Sequence, residues 1–114
     1  MSLPPLLLPK AITHHIDALQ DDQDLVFSVQ EYSFIALKHA GKLYLYRNQC
    51  PHQNKRLGTE HCLDDSASLI ECQHHAAQFL PHTGRCISGP CQDMTLTAYV
   101  MKQDQSETFL IEAT

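Results

Sequence analysis

The segment Leu43-Tyr44-Leu45-Tyr46-Arg47-Asn48-Gln49-Cys50-Pro51-His52 decides how the chain is read, because a regular alternation ends there in two metal-ligating side chains. Leucines and tyrosines alternate at its start, so a strand over 43–48 would place them on opposite faces. Just upstream, His39-Ala40-Gly41-Lys42 has turn composition, and Phe34-Ile35-Ala36-Leu37-Lys38 is apolar and β-prone; together they predict a hairpin. Working outward, residues 25–30 predict a further strand. Leu96-Thr97-Ala98-Tyr99-Val100 and Thr108-Phe109-Leu110-Ile111-Glu112 flank a polar turn and predict a second hairpin. One helical turn is predicted, over residues 16–22. Between the hairpins, from Gln49 to about residue 91, periodicity fades, and all five cysteines and five of the eight histidines collect there. The expected fold is all-β, an antiparallel framework interrupted by a Cys/His-rich insertion.

The 114 residues suit one domain covering 1–114, with 43% hydrophobic and 18% charged residues, a globular balance. Eight Lys and Arg against thirteen Asp and Glu leave a net charge of −5, which argues against a basic nucleic-acid face. The first ten residues carry no early charge, and Pro4, Pro5 and Pro9 break their short apolar run, so a secretory signal is not expected. No apolar stretch approaches the length of a membrane span. A soluble cytoplasmic protein with no membrane or nucleic-acid partner is expected. A reducing compartment keeps thiols free and five is an odd number, so ligation plus plain buried thiols outweighs a disulfide framework.

Thirteen Cys and His residues among 114 favour transition-metal binding. Two short groups organise them: Cys50-Pro51-His52, then nineteen residues, then Cys72-Gln73-His74-His75. Each offers one thiolate and one imidazole, whereas zinc fingers tend to pair Cys with Cys and His with His. Two mixed pairs on separate loops suit a binuclear centre, both cysteines on one metal ion and both histidines on the other.

With Leu57, Phe79, Thr83-Gly84 and Gly89-Pro90, these groups resemble the Rieske-type [2Fe–2S] proteins, specifically the small soluble Rieske ferredoxins. The resemblance implies a Rieske-type antiparallel β-sandwich with an inserted cluster-binding subdomain at about 48–91. It implies a [2Fe–2S] cluster held by Cys50, His52, Cys72 and His75, with Gly89-Pro90 in a loop that covers it and Thr83-Gly84 turning the chain behind the second ligand loop. Replacing two Cys by two His raises the potential of such clusters. In the respiratory branch a disulfide joins the ligand loops; the corresponding positions here are Lys55 and His74, and Ala77 lacks the hydroxyl that donates to the cluster in that branch. Glycines that often follow the ligand histidines are replaced by Gln53-Asn54-Lys55-Arg56 and Ala76-Ala77-Gln78. The implied potential lies toward the low Rieske end, about −150 mV.

The implied function is electron transfer, from a flavin-containing reductase to an oxygenase-type terminal enzyme, in a transient complex and without a catalytic site of its own. Two rivals remain: a small Rieske-like subunit of a larger oxidoreductase, such as an assimilatory nitrite reductase, and a zinc-binding interaction module. The other histidines, His14, His15, His61, His74 and His82, read as surface or loop residues. Cys62, Cys86 and Cys91 read as small buried hydrophobes, and Asp21-Asp22-Gln23-Asp24 as a solvated turn.

Overall fold

The structure, a computed structural model, describes residues 3–51, 55–74 and 76–113. Among the described residues, nine strands and one helix follow in the order β1 (Leu6–Leu7), α1 (Lys10–Asp17), β2 (Asp24–Val29), β3 (Tyr32–His39), β4 (Lys42–Arg47), β5 (Ile70–Glu71), β6 (Gln78–Phe79), β7 (Cys86–Ser88), β8 (Ala98–Asp104) and β9 (Glu107–Glu112). A six-stranded sheet has the order β1-β9-β8-β4-β3-β2, and a three-stranded sheet the order β5-β6-β7. Every pairing is antiparallel. The all-β framework read from the sequence is present, with both hairpins in place. No helix among the described residues is long and apolar enough to cross a membrane.

The predicted hairpin forms β3 and β4, turning at Ala40 and Gly41, both at positive φ. Its alternation serves two cores. Ile35 and Leu37 of β3 and Tyr46 of β4 face one apolar cluster, whereas Phe34, Ala36 and Leu45 face another. Both faces are buried because different material covers each. Leu6, Leu8, Ile16, Leu19 and Leu110 close the second cluster, and the residues between β4 and β8 close the first.

Residues 48–97 leave the large sheet after β4 and return to it at β8, which pairs directly with β4 through Leu45↔Tyr99 and Tyr46↔Ala98. The three-stranded sheet lies within this excursion. The Gly84 turn holds it against β4: Gly84 has φ +74, and a Cβ there would stand 2.8 Å from Tyr46 Cε1. The Tyr46 hydroxyl donates to Pro81 O at 2.7 Å, and burial raises its pKa above the usual tyrosine value.

The helix corrects the sequence reading. It spans Lys10–Asp17, not 16–22. Ile12, Ile16 and Leu19 fall at helical spacing, and the last two are buried against the sheet. After Leu19 the polar run takes over, and Asp22 adopts φ 66, which no helix continues. His14 and His15 are exposed, as expected, but they sit on this helix and not in a loop or strand.

Phe34 is fully buried, stacked on Phe27 at 5.7 Å between centroids and edge-on to Tyr99 at 5.0 Å. Phe34→Ala is expected to cost about 3–5 kcal/mol through lost transfer energy and the cavity left behind. Urea denaturation of the two proteins measures it as a lower midpoint.

Candidate metal centre

The first cysteine loop starts where β4 ends. Asn48 is buried, and its main-chain N–H donates to Ser33 O at 2.9 Å, anchoring it to β3. Its side-chain amide then ties down the chain as far as Cys62, fourteen residues on. Nδ2 donates to Gly58 O at 2.8 Å and Ser33 Oγ at 3.1 Å. Oδ1 accepts from the N–H groups of Leu57 at 2.8 Å and Gly58 at 3.4 Å, and from the Cys62 thiol at 3.8 Å. Cys50 is fully buried two residues on, and its N–H donates to Lys55 O at 2.6 Å.

The second loop follows β5. Cys72, also fully buried, donates its N–H to Ala77 O at 2.8 Å and accepts from Ala76 N–H at 3.0 Å. Gln73 N–H donates to Leu57 O at 2.8 Å, which ties the second loop to the first. Cys50 and Cys72 thus enter one packed cluster from two hydrogen-bonded loops. A third segment presses on the second loop. Gly89 has φ +102, and a Cβ at this position would lie 2.8 Å from Ala77 Cα, so only glycine permits the approach.

His52 and His75 lie outside the described residues, as do Gln53 and Asn54. The structure buries the two predicted thiols in one apolar cluster. Among the described residues no group of three or more metal-ligating side chains forms. Two buried soft donors on facing loops fit the cysteine half of a binuclear centre with mixed ligation.

The remaining thiols differ from this pair. Burial, aided by the negative fields of Asp24 and Cys72, pushes the Cys62 thiol up to about 12. Burial followed by contact with Cys86 and Cys50 pushes Cys91 to about 12 as well. Both remain protonated at neutral pH and act as weak donors toward their neighbours. Cys62, Cys86 and Cys91 are buried, as the sequence suggested. His61, His74 and His82 are exposed, the last with its ring 6.4 Å from that of His39.

Two residues escaped the sequence reading. Asn48 was read simply as the end of a strand, since nothing in alternation marks a polar residue destined for the interior. Asp24 was placed in a solvated turn, but its carboxylate is 5% exposed. It accepts from Cys62 N–H at 2.5 Å and lies 3.0 Å from His61 Nδ1, tying β2 to the excursion. The acidic run is solvated at Asp21 and Asp22 alone of its three carboxylates. Asp24 opens a strand, which turns its side chain inward.

Asn48→Ala strands the buried N–H groups of Leu57 and Gly58, a loss of about 1–3 kcal/mol. Chemical denaturation should show that loss, and faster proteolysis within 49–62 should localise it.

Residues 10–103 match the family model described as the Rieske [2Fe–2S] domain. The ferredoxin component of the alkene monooxygenase system of Xanthobacter autotrophicus is 33% identical over 73 residues, covering 64% of this chain and 58% of that protein. The ferredoxin subunit of 3-phenylpropionate/cinnamic acid dioxygenase from Shigella boydii is 34% identical over 70 residues, covering 61% and 63%. The aligned stretches thus span less than two thirds of either relative. The ferredoxin of carbazole 1,9a-dioxygenase from Nocardioides aromaticivorans IC177 shares the fold, with a TM-score of 0.60 at 21% identity over 96% of this chain and 98% of that one.

Proposed function

Because the chain belongs to the Rieske [2Fe–2S] domain family, with a Rieske-type [2Fe–2S] cluster as its cofactor, we propose that it is a one-electron carrier of an oxygenase system. It takes electrons from a flavin-containing reductase and passes them to a terminal oxygenase. The observation that carries this reading is the pair of buried thiols, Cys50 and Cys72, on two loops joined through Gln73 and Leu57. The ferredoxin components among its relatives support the same role.

In this reading Cys50 and Cys72 hold one iron, and His52 and His75 hold the other. Residues 48–91 act as the cluster-binding part of a single domain over 1–114. When bound, the cluster supplies reversible one-electron chemistry at a potential raised by histidine ligation. The chain's own residues do the rest. Asn48 sets the direction of the first loop, Leu57 joins it to the second, and Gly89 lets a third segment cover Ala77. Such a protein contributes potential and docking rather than substrate chemistry, and is not itself an enzyme. A cytoplasmic location, where thiols stay reduced, fits the five free cysteines among the described residues.

Anaerobically purified protein should be red-brown, with two irons and two sulfides per chain. Its dithionite-reduced EPR spectrum should show the low average g-value of histidine-ligated clusters, and His52→Ala should abolish that signal. Colourless protein with stoichiometric zinc would overturn the reading. In a reconstituted reductase–oxygenase chain, turnover should fall to background without this protein; undiminished turnover would remove it from that pathway.

A further inference from the structure

Cys86 opens β7, and Cys91 follows Gly89-Pro90 five residues later. Their Sγ atoms are 2.8 Å apart, within reach of a bond that closes at about 2.05 Å. The intervening chain is already folded back. Cys86 N–H donates to Met94 O at 2.8 Å, Asp93 N–H to Cys86 O at 3.2 Å, and Met94 N–H to Cys91 O at 2.9 Å. Both thiols are buried, at 1% and 0% exposure. Their cover is thin, however: residues 87–90 and 92–95 are all exposed. Displacing this short segment admits a small reagent.

The location gives the pair its interest. Gly89, inside the loop they bracket, bears on Ala77 of the second ligand loop. Cys86 and Cys91 belong to the same buried cluster as Cys50 and Cys72. The pair thus packs in one core with the two cysteines read above as ligands, and the chain between them covers the second ligand loop.

We propose that Cys86 and Cys91 form a redox-active dithiol that closes to an intramolecular disulfide by exchange with a small-molecule disulfide, and that closure alters the metal centre beneath it. The Cys86 thiolate attacks one sulfur of the reagent and releases a thiol, giving a mixed disulfide. The Cys91 thiol, giving up its proton to the departing thiolate, then attacks the Cys86 sulfur and releases the second thiol. Two protein thiols are oxidised by two electrons, the reagent is reduced to two thiols, and the two protons pass to the departing thiolates. Closure draws the two sulfurs from 2.8 Å to about 2.05 Å, and with them the loop that carries Gly89 against Ala77, whose carbonyl accepts from Cys72 N–H. The surroundings of a ligand loop tune a cluster's reduction potential. This second half rests on Cys72 being a ligand; the disulfide itself does not.

The test treats anaerobic holoprotein with excess oxidised glutathione, followed by acid quench, alkylation and trypsin. Cleavage after Arg85 and Lys102 leaves residues 86–102 as one peptide holding both cysteines and no other. That peptide should be lighter by two hydrogens and refuse alkylation, with both properties reversed by dithiothreitol. Cys86→Ser should give no closed peptide. The midpoint potential of oxidant-treated wild type should differ from that of the untreated protein, while Cys86→Ser keeps one value throughout. Full alkylation of both wild-type thiols after treatment, when a urea-unfolded control closes, overturns the proposal. A closed peptide with an unmoved potential overturns the coupling to the metal centre. Iron content of the same sample separates the failures: a closed peptide on iron-free protein overturns the metal-centre reading and leaves the dithiol standing.

Discussion

A buried side-chain amide, that of Asn48, is the interaction on which the rest of the molecule depends. An unpartnered amide in an apolar interior costs several kcal/mol, so it is tolerated only where its donors and acceptor are all met. Here Ser33, Leu57, Gly58 and Cys62 meet them. Those partners come from the large sheet and from the excursion, so satisfying one side chain fixes how the two halves sit together. The direction in which Cys50 enters the core follows from that constraint, since only Gln49 separates it from Asn48.

The excursion is held by polar groups wherever it must be exact in position, and by apolar packing elsewhere. Asp24 reaches from β2 to the Cys62 N–H, and the Tyr46 hydroxyl reaches Pro81. Between these ties lie Leu57, Ile70, Phe79 and Leu96, all buried in the same cluster as the two thiols. Apolar contact alone is tolerant of sliding, whereas a hydrogen bond is not, and a centre built from several loops needs the second kind. The dry surroundings have an electrostatic effect too, keeping Cys62 and Cys91 protonated.

Strands were legible in the sequence where alternation or β-branched runs were long, as at β2, β3 and β4, because each side chain there answers to a single face. The predicted leucine–tyrosine split is seen at Leu45 and Tyr46, which enter different cores. Spacing drew attention to Cys50 and Cys72, and the structure buries both in one cluster; spacing stands out because ligation restricts residue type more sharply than packing does. The helix was misplaced because its large apolar positions, Ile12 and Ile16, are only two and lie among histidines, with Leu19 just beyond its end. Asn48 and Asp24 were illegible for a different reason. Their burial depends on partners far away in the chain, and a polar residue carries no local mark of the partners it will find.

The excursion begins and ends at neighbouring points: Arg47 N–H donates to Thr97 O at 2.9 Å, and Tyr46 pairs with Ala98. The sheet therefore bears the entropy of bringing those ends together, whatever lies between them. By chain statistics, doubling the length of such a loop adds only about 0.6 kcal/mol. Insertions at the exposed turns of the excursion thus cost the strand pairing little, whereas the residues that cover Ile35, Leu37 and Tyr46 are held in place by packing. A framework with this property takes up extra chain at those turns while the β-scaffold stays as it is.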